Sequence, residues 1–175
     1  MVLCNVECLQ KISNYLDVPP LQLEMQENVN NILVSTEHRN LNKRIEGFGT
    51  IVQFLIENSN YPDILGTDNE MKALSRQWIE YAVAYVNYAD NFVTTRRVLQ
   101  ELNVALTGNS YLTGTKKSIA DVTLYYCLHS IMKGLTHQEK AQYIHVSRWF
   151  DNLQQEEKLR QQLDLISFDL LHLFL

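Results

Sequence analysis

The chain lacks any uninterrupted apolar run near the ~18 residues that cross a bilayer as a helix. Its greasiest stretch, 163–175, is broken by Asp164, Asp169 and His172, so a membrane is not expected as a partner. Cysteine is scarce: Cys4, Cys8 and Cys127 are odd in number and show no disulfide-framework spacing. With no basic leader followed by an apolar core at the N-terminus, they fit a reduced, intracellular setting. The six glycines are scattered, which leaves no loop to cradle a phosphate. Positive charge is also short. Fifteen Lys and Arg against twenty Asp and Glu give a net charge of −5, and the basic residues never gather beyond the pairs Lys43–Arg44, Arg96–Arg97 and Lys116–Lys117. Direct nucleic-acid binding is therefore not expected, and the pairs read as solvated faces.

What the chain does have is apolar content, 46% of 175 residues, enough for one ordinary domain or two small ones. The spacing of Val6, Leu9, Ile12 and Leu16 predicts a helix over 4–16, stopped by Pro19–Pro20. A polar stretch with Asn28, Asn30 and Asn31 follows. Short strands are expected at Ile32–Ser35 and Lys43–Ile45, joined through a turn-rich segment at 36–42. Gly47–Glu57 reads as a helix with Ile51, Phe54 and Leu55 at core spacing. The clearest break is Asn58–Asp68, with Asn60, Pro62, Asp63 and Gly66 inside it. The chain thus divides into a mixed module at 1–58, a linker at 59–67 and a helical module at 68–175.

Beyond the linker every signal is helical. Thr67 and Glu70 have capping-box spacing ahead of a helix with Leu74, Trp78, Tyr81, Val83 and Tyr85. A second helix carries Val98, Leu99, Leu102 and Leu106. A third is announced by Gly-Thr-Lys-Lys-Ser-Ile-Ala-Asp at 114–121, in which Ser118 and Asp121 form a capping box. Its residues from Ile119 to Met132 are apolar nearly all round, the mark of a buried central helix. Gly134 is expected as its C′ residue. Thr136 and Glu139 open a short helix, Val146–Leu153 makes another, and an amphipathic helix is expected at the C-terminal end, docked on the protein's own bundle, with a partner's groove as the alternative.

Chemistry-bearing residues do not converge. Cys4 and Cys8 lie a helical turn apart, but no second ligand pair follows, so buried thiols are expected rather than a zinc site. Cys127 falls inside the apolar helix, where a thiol is inert. His38, His129, His137, His145 and His172 are scattered, and the aromatics fall at core spacing. No metal, cofactor or catalytic residue is expected.

A small mixed module, a linker near residue 60, and a helical module whose central helix opens Gly-x-x-x-Ser-x-Ala-Asp resemble the glutathione transferase fold. More closely, Gln77-Trp78-Ile79-Glu80-Tyr81, Tyr111-Leu112-Thr113-Gly114, Leu124-Tyr125-Tyr126 with Leu128-His129, Leu135-Thr136 with Gln138-Glu139-Lys140, and Val146-Ser147-Arg148-Trp149-Phe150 are similar to the transferase-like auxiliary proteins of the animal multi-aminoacyl-tRNA synthetase complex. The resemblance covers about 66–163 and is weak before residue 45.

The resemblance implies a reduced thioredoxin-like N-terminal module followed by an all-helical bundle, and a scaffolding role in translation. The implied partners are the transferase-like domains of methionyl-tRNA synthetase and glutamyl-prolyl-tRNA synthetase. The first would use the helices flanking the linker, with Gly47, Phe48, Ile51, Met71 and Arg76 as contact residues. The second would use the Val146–Phe150 region, with Arg148 offering a bidentate fork to a carboxylate. A cytoplasmic location, nuclear entry with a part in DNA-damage signalling, and a homodimer of the isolated chain are further implications. Transferases hold glutathione by a cis-proline before a strand and by a Glu/Gln-Ser pair opening the next helix. Here strand 32–35 has no preceding proline and the pair is Glu46–Gly47, which argues against catalysis. An active transferase with atypical anchors is the alternative.

Overall fold

The computed structural model of the chain describes residues 3–19, 22–26, 31–35 and 44–168, with backbone alone for 22–26, 31–35 and 44. The turn segment at 36–42 and the tail beyond 168 lie outside the described residues. The chain opens with α1 (Val6–Tyr15), whose N-cap Asn5 accepts from the Cys8 amide at 2.9 Å. Three antiparallel strands follow in the order β1 (Gln22–Gln26), β2 (Asn31–Ser35) and β3 (Arg44–Glu46), with Met25 opposite Ile32 and Val34 opposite Ile45. Strand β1 was not expected. Its Gln-Leu-Glu-Met-Gln alternation is the period-two signal, masked by its polar half.

α2 (Phe48–Glu57) packs on the sheet and on α1. A 3₁₀ turn, Pro62–Leu65, then leads into the bundle of α3 (Asn69–Ala84), α4 (Phe92–Ala105), α5 (Ile119–Gly134), α6 (His137–Gln142), α7 (Ile144–Gln154) and the one-turn α8 (Glu157–Arg160). Two helix ends differ from expectation. α3 is capped by Asp68, whose Oδ1 accepts from the Met71 amide at 2.8 Å, not by Thr67; the extended backbone at 68 presents an ionised acceptor to the positive helix end. Gly134 is the last residue of α5 rather than C′, and the extended Leu135 ends the helix. The Thr136–Glu139 capping box opens α6 as expected.

α5 is the centre. Twelve of its sixteen residues are buried, and the Tyr125 and Phe150 rings lie 4.7 Å apart, with Trp149 and Phe168 about Phe150. Full burial of an aromatic of this size contributes roughly 1.5–3 kcal/mol. After α8 the segment where a C-terminal helix is expected is described only to residue 168. Through residue 168 it is non-helical and docked, because the Gln154 amide makes two hydrogen bonds to the Ile166 backbone (2.9 and 2.8 Å) and His129 Nε2 lies 3.1 Å from the Asp164 carbonyl.

Candidate functional site

The motif residues converge on one buried carboxylate. Asp121 Oδ2 accepts from the Ser118 amide (2.8 Å) and hydroxyl (3.0 Å), closing the capping box, while Oδ1 accepts from the Leu112 amide (2.9 Å) and the Trp149 indole (2.9 Å). The Leu112 carbonyl in turn accepts from the Trp78 indole at 3.0 Å. Leu112 sits in a tight turn closed by paired Tyr111–Gly114 backbone bonds, with Gly114 at φ +114°, a conformation glycine adopts freely. Trp78, Tyr111–Gly114, Ser118, Asp121 and Trp149, spread over 72 positions, are thus one structural knot. Burial pushes the Asp121 carboxyl up from its ordinary value, and its four donors oppose that shift. With every acceptor direction engaged, the group holds the fold and has no free edge for a substrate.

The α2–α3 face carries the first set of candidate contacts. Phe48 and Ile51 do not fit that role: they are 5% and 0% exposed and belong to the core between α1, α2 and the bundle. The exposed side of α2 is formed by Thr50 and Glu57, with Phe54 half-buried between them. Gly47 is the α2 N-cap at φ +89°, Met71 is half-buried over Gly66, and Arg76 is exposed on α3.

The resemblance to transferases implies that a glutathione carboxylate would be held at the opening of α2. Gly47 supplies no side-chain cap, and the first turn reads Phe48-Gly49-Thr50. A Cβ placed on Gly49 would stand 2.9 Å from Glu80 Oε1 and 3.5 Å from Ile79 Cγ2. The α3 carboxylate therefore lies against the positive end of α2 and complements its dipole internally. A second carboxylate arriving there meets like charge.

Arg148 is exposed on α7, but its Nη2 donates to the carbonyls of Leu106 (3.0 Å) and Asn109 (2.8 Å) at the end of α4. The guanidinium thus caps a helix C-terminus. Asn103 Oδ1 tethers the same junction by accepting from the His145 and Val146 amides (2.9 and 3.3 Å). Val104 (68% exposed) and Ile144 (43%) flank it. Their exposure follows from the α4–α7 crossing, which sequence spacing does not show.

A polar clasp joins the N-terminal module to the end of the bundle. Asp17 Oδ2 accepts from Lys158 (2.6 Å) and the Tyr61 hydroxyl (2.9 Å), and Tyr15 donates to Glu156 (3.2 Å), which also pairs with Lys117. Lys158 and Tyr61 hold the Asp17 carboxyl below its ordinary range. Among the described residues no helix is long and apolar enough to cross a membrane, and no group of three or more His, Cys, Asp or Glu is arranged to hold a metal ion.

These features define a glutathione-transferase-like fold. Among solved structures, a glutathione S-transferase from Pichia kudriavzevii superposes with a TM-score of 0.67 at 18% identity, covering 89% of each chain. Phanerochaete chrysosporium URE2P6 gives 0.67 at 16% identity, over 88% of this chain and 86% of that one. At the sequence level the chain is 37% identical over 124 residues to eukaryotic translation elongation factor 1 epsilon-1 of Cricetulus griseus and 38% over 124 residues to that of Homo sapiens, with 71% of each chain covered in both cases. The chain belongs to the elongation factor 1 epsilon family. Residues 71–157 also match the family model described as nuclear-export cofactor Arc1p. The tRNA-aminoacylation cofactor arc1 of Schizosaccharomyces pombe is 26% identical over 110 residues, 62% of this chain and 23% of that one.

Proposed function

We propose that this chain is a non-catalytic adaptor of an aminoacyl-tRNA synthetase assembly, acting in support of translation. The observation that carries the reading is the start of α2, where the transferase serine is missing and Glu80 lies against Gly49. The names of its relatives, a eukaryotic translation elongation factor and a tRNA-aminoacylation cofactor, supply the biological setting.

In this reading residues 1–58 and 68–175 act as two modules joined by the 59–67 linker. The face formed by Thr50, Phe54, Met71 and Arg76 binds the transferase-like domain of methionyl-tRNA synthetase. The Val104–Ile144–Arg148 patch binds that of glutamyl-prolyl-tRNA synthetase. The adaptor works in the cytoplasm, with nuclear entry under DNA damage, and any tRNA is held by the synthetases. Mixing the purified chain with the methionyl-tRNA synthetase domain at micromolar concentration tests this by light scattering. A one-to-one complex is expected, weakened about tenfold or more by Arg76→Glu. Absence of a complex, or retention on immobilised glutathione with thiol-conjugating turnover, would overturn it.

A further inference from the structure

Cys127 stands 123 and 119 positions from Cys4 and Cys8 in sequence, and the three meet in the core. Cys127 Sγ lies 3.6 Å from Cys8 Sγ and 3.7 Å from Cys4 Sγ, so Cys127 is the hub, and all three are buried. The Cys4 thiol is also 3.4 Å from the Ala82 carbonyl. A cavity of about 110 Å³ reaches this cluster, lined by Cys8, Cys127, Lys11, His129 and Leu163 among others. It has room for a molecule a little larger than water, whose share of liquid volume is about 30 Å³. Cys4 does not line it.

We propose that Cys8 and Cys127 form an oxidation site at which a small hydroperoxide closes a disulfide between α1 and α5. The Cys8 sulfur attacks one peroxide oxygen, the O–O bond breaks, and water or an alcohol leaves with the thiol proton, giving the sulfenic acid. The Cys127 sulfur then attacks the Cys8 sulfur; the S–O bond breaks, the S–S bond forms, and water leaves with the second proton. Two thiols lose two electrons and the peroxide gains them. The sulfurs have roughly 1.6 Å to close to reach the ~2.0 Å of a disulfide. Peroxide entering the cavity meets Cys8 and Cys127, whereas Cys4 lies off it with its thiol turned to the Ala82 carbonyl, so Cys8 rather than Cys4 is the sulfur it reaches. The product ties positions 119 residues apart and so staples the N-terminal module to the bundle.

The sequence alone points elsewhere. Cys4 and Cys8, four positions apart, would close the shortest loop in an unfolded chain. The test therefore oxidises the full native chain with hydrogen peroxide, denatures it, alkylates the remaining thiols and maps the peptides by mass. The expected result is one alkylated cysteine, a loss of two hydrogens, and a Cys8–Cys127 peptide pair. The oxidised protein should melt at a higher temperature, reversed by dithiothreitol. Cys4→Ala should leave the pair unchanged, and Cys8→Ala should slow peroxide consumption at least tenfold. Three alkylated cysteines after excess peroxide, a Cys4–Cys8 link, or only intermolecular disulfides would each overturn the proposal.

Discussion

The helical bundle and the N-terminal module are held together in different ways. Around α5 apolar side chains close on most sides, and the fully buried carboxylate of Asp121 is saturated by four donors. The N-terminal module has two helices against a three-stranded antiparallel sheet. It leans on the bundle through Ile12, Leu16, Ile51 and Leu55, all fully buried, and through an exposed polar clasp. A central helix buried all round specifies its own neighbourhood, whereas a small sheet needs a larger body to cover it. The motif residues that identify the family accordingly cluster in the bundle.

The largest way to break that contrast is Asp121→Ala. It leaves the Trp149 indole and the Leu112 and Ser118 amides without their acceptor, and we expect a loss of about 3–5 kcal/mol in urea unfolding. Ser118→Ala removes only a capping partner and should cost about 1 kcal/mol. Both variants, where folded, should still bind their partner. Unchanged stability in Asp121→Ala would mean that the knot is not the bundle's keystone.

The linker is the next test. Gly66 has φ +139°, and a Cβ there would stand 2.7 Å from Met71 Cβ and 2.8 Å from the Lys72 amide nitrogen. Gly66→Ala should cost about 2 kcal/mol or more, read as a fall in melting temperature. Thr123→Val should go the other way. The Thr123 hydroxyl is buried without a partner, so a gain of up to about 1 kcal/mol is expected by calorimetry.

Acidification probes where the docked C-terminal segment meets α5. Burial holds the His129 imidazole below its ordinary value of 6.5. The unfolded chain therefore takes up its proton at a higher pH than the folded one. The stability this contributes is complete above pH 6.5 and is lost as pH falls from there through the folded value. Urea midpoints measured across that window should decline, and His129→Gln should flatten the decline. The smallest effect is expected at the clasp. Lys158 and Asp17 are both exposed, so Lys158→Ala should leave the melting temperature within measurement scatter at physiological salt. A large fall there would show that the polar clasp, rather than the apolar contact, holds the two regions together.

Local signals were readable wherever the chemistry is local. The Ser118–Asp121 and Thr136–Glu139 boxes and the nearly all-round apolar surface of α5 follow from spacing a few residues long. Strand β1 escaped because half of its alternation is glutamine and glutamate. The Thr67 assignment failed because two adjacent residues compete for one cap and only backbone conformation decides between them. The candidate contact residues were the least readable. Ile51 has core spacing and is buried, which its implied contact role overlooked, whereas the burial of Phe48 and the half-exposure of Phe54 depend on how α1 and α3 cover α2.

The sequence by itself determined where helices begin and which of them is central, because each of these rests on a short run of side chains acting on neighbouring backbone. Only the tertiary structure decided that Asp121 gathers donors from residues 112, 118 and 149, that Arg148 caps α4, that Glu80 lies against α2, and that three distant thiols touch. Those facts depend on how elements far apart in the chain cross in space, and no periodicity along the chain encodes a crossing.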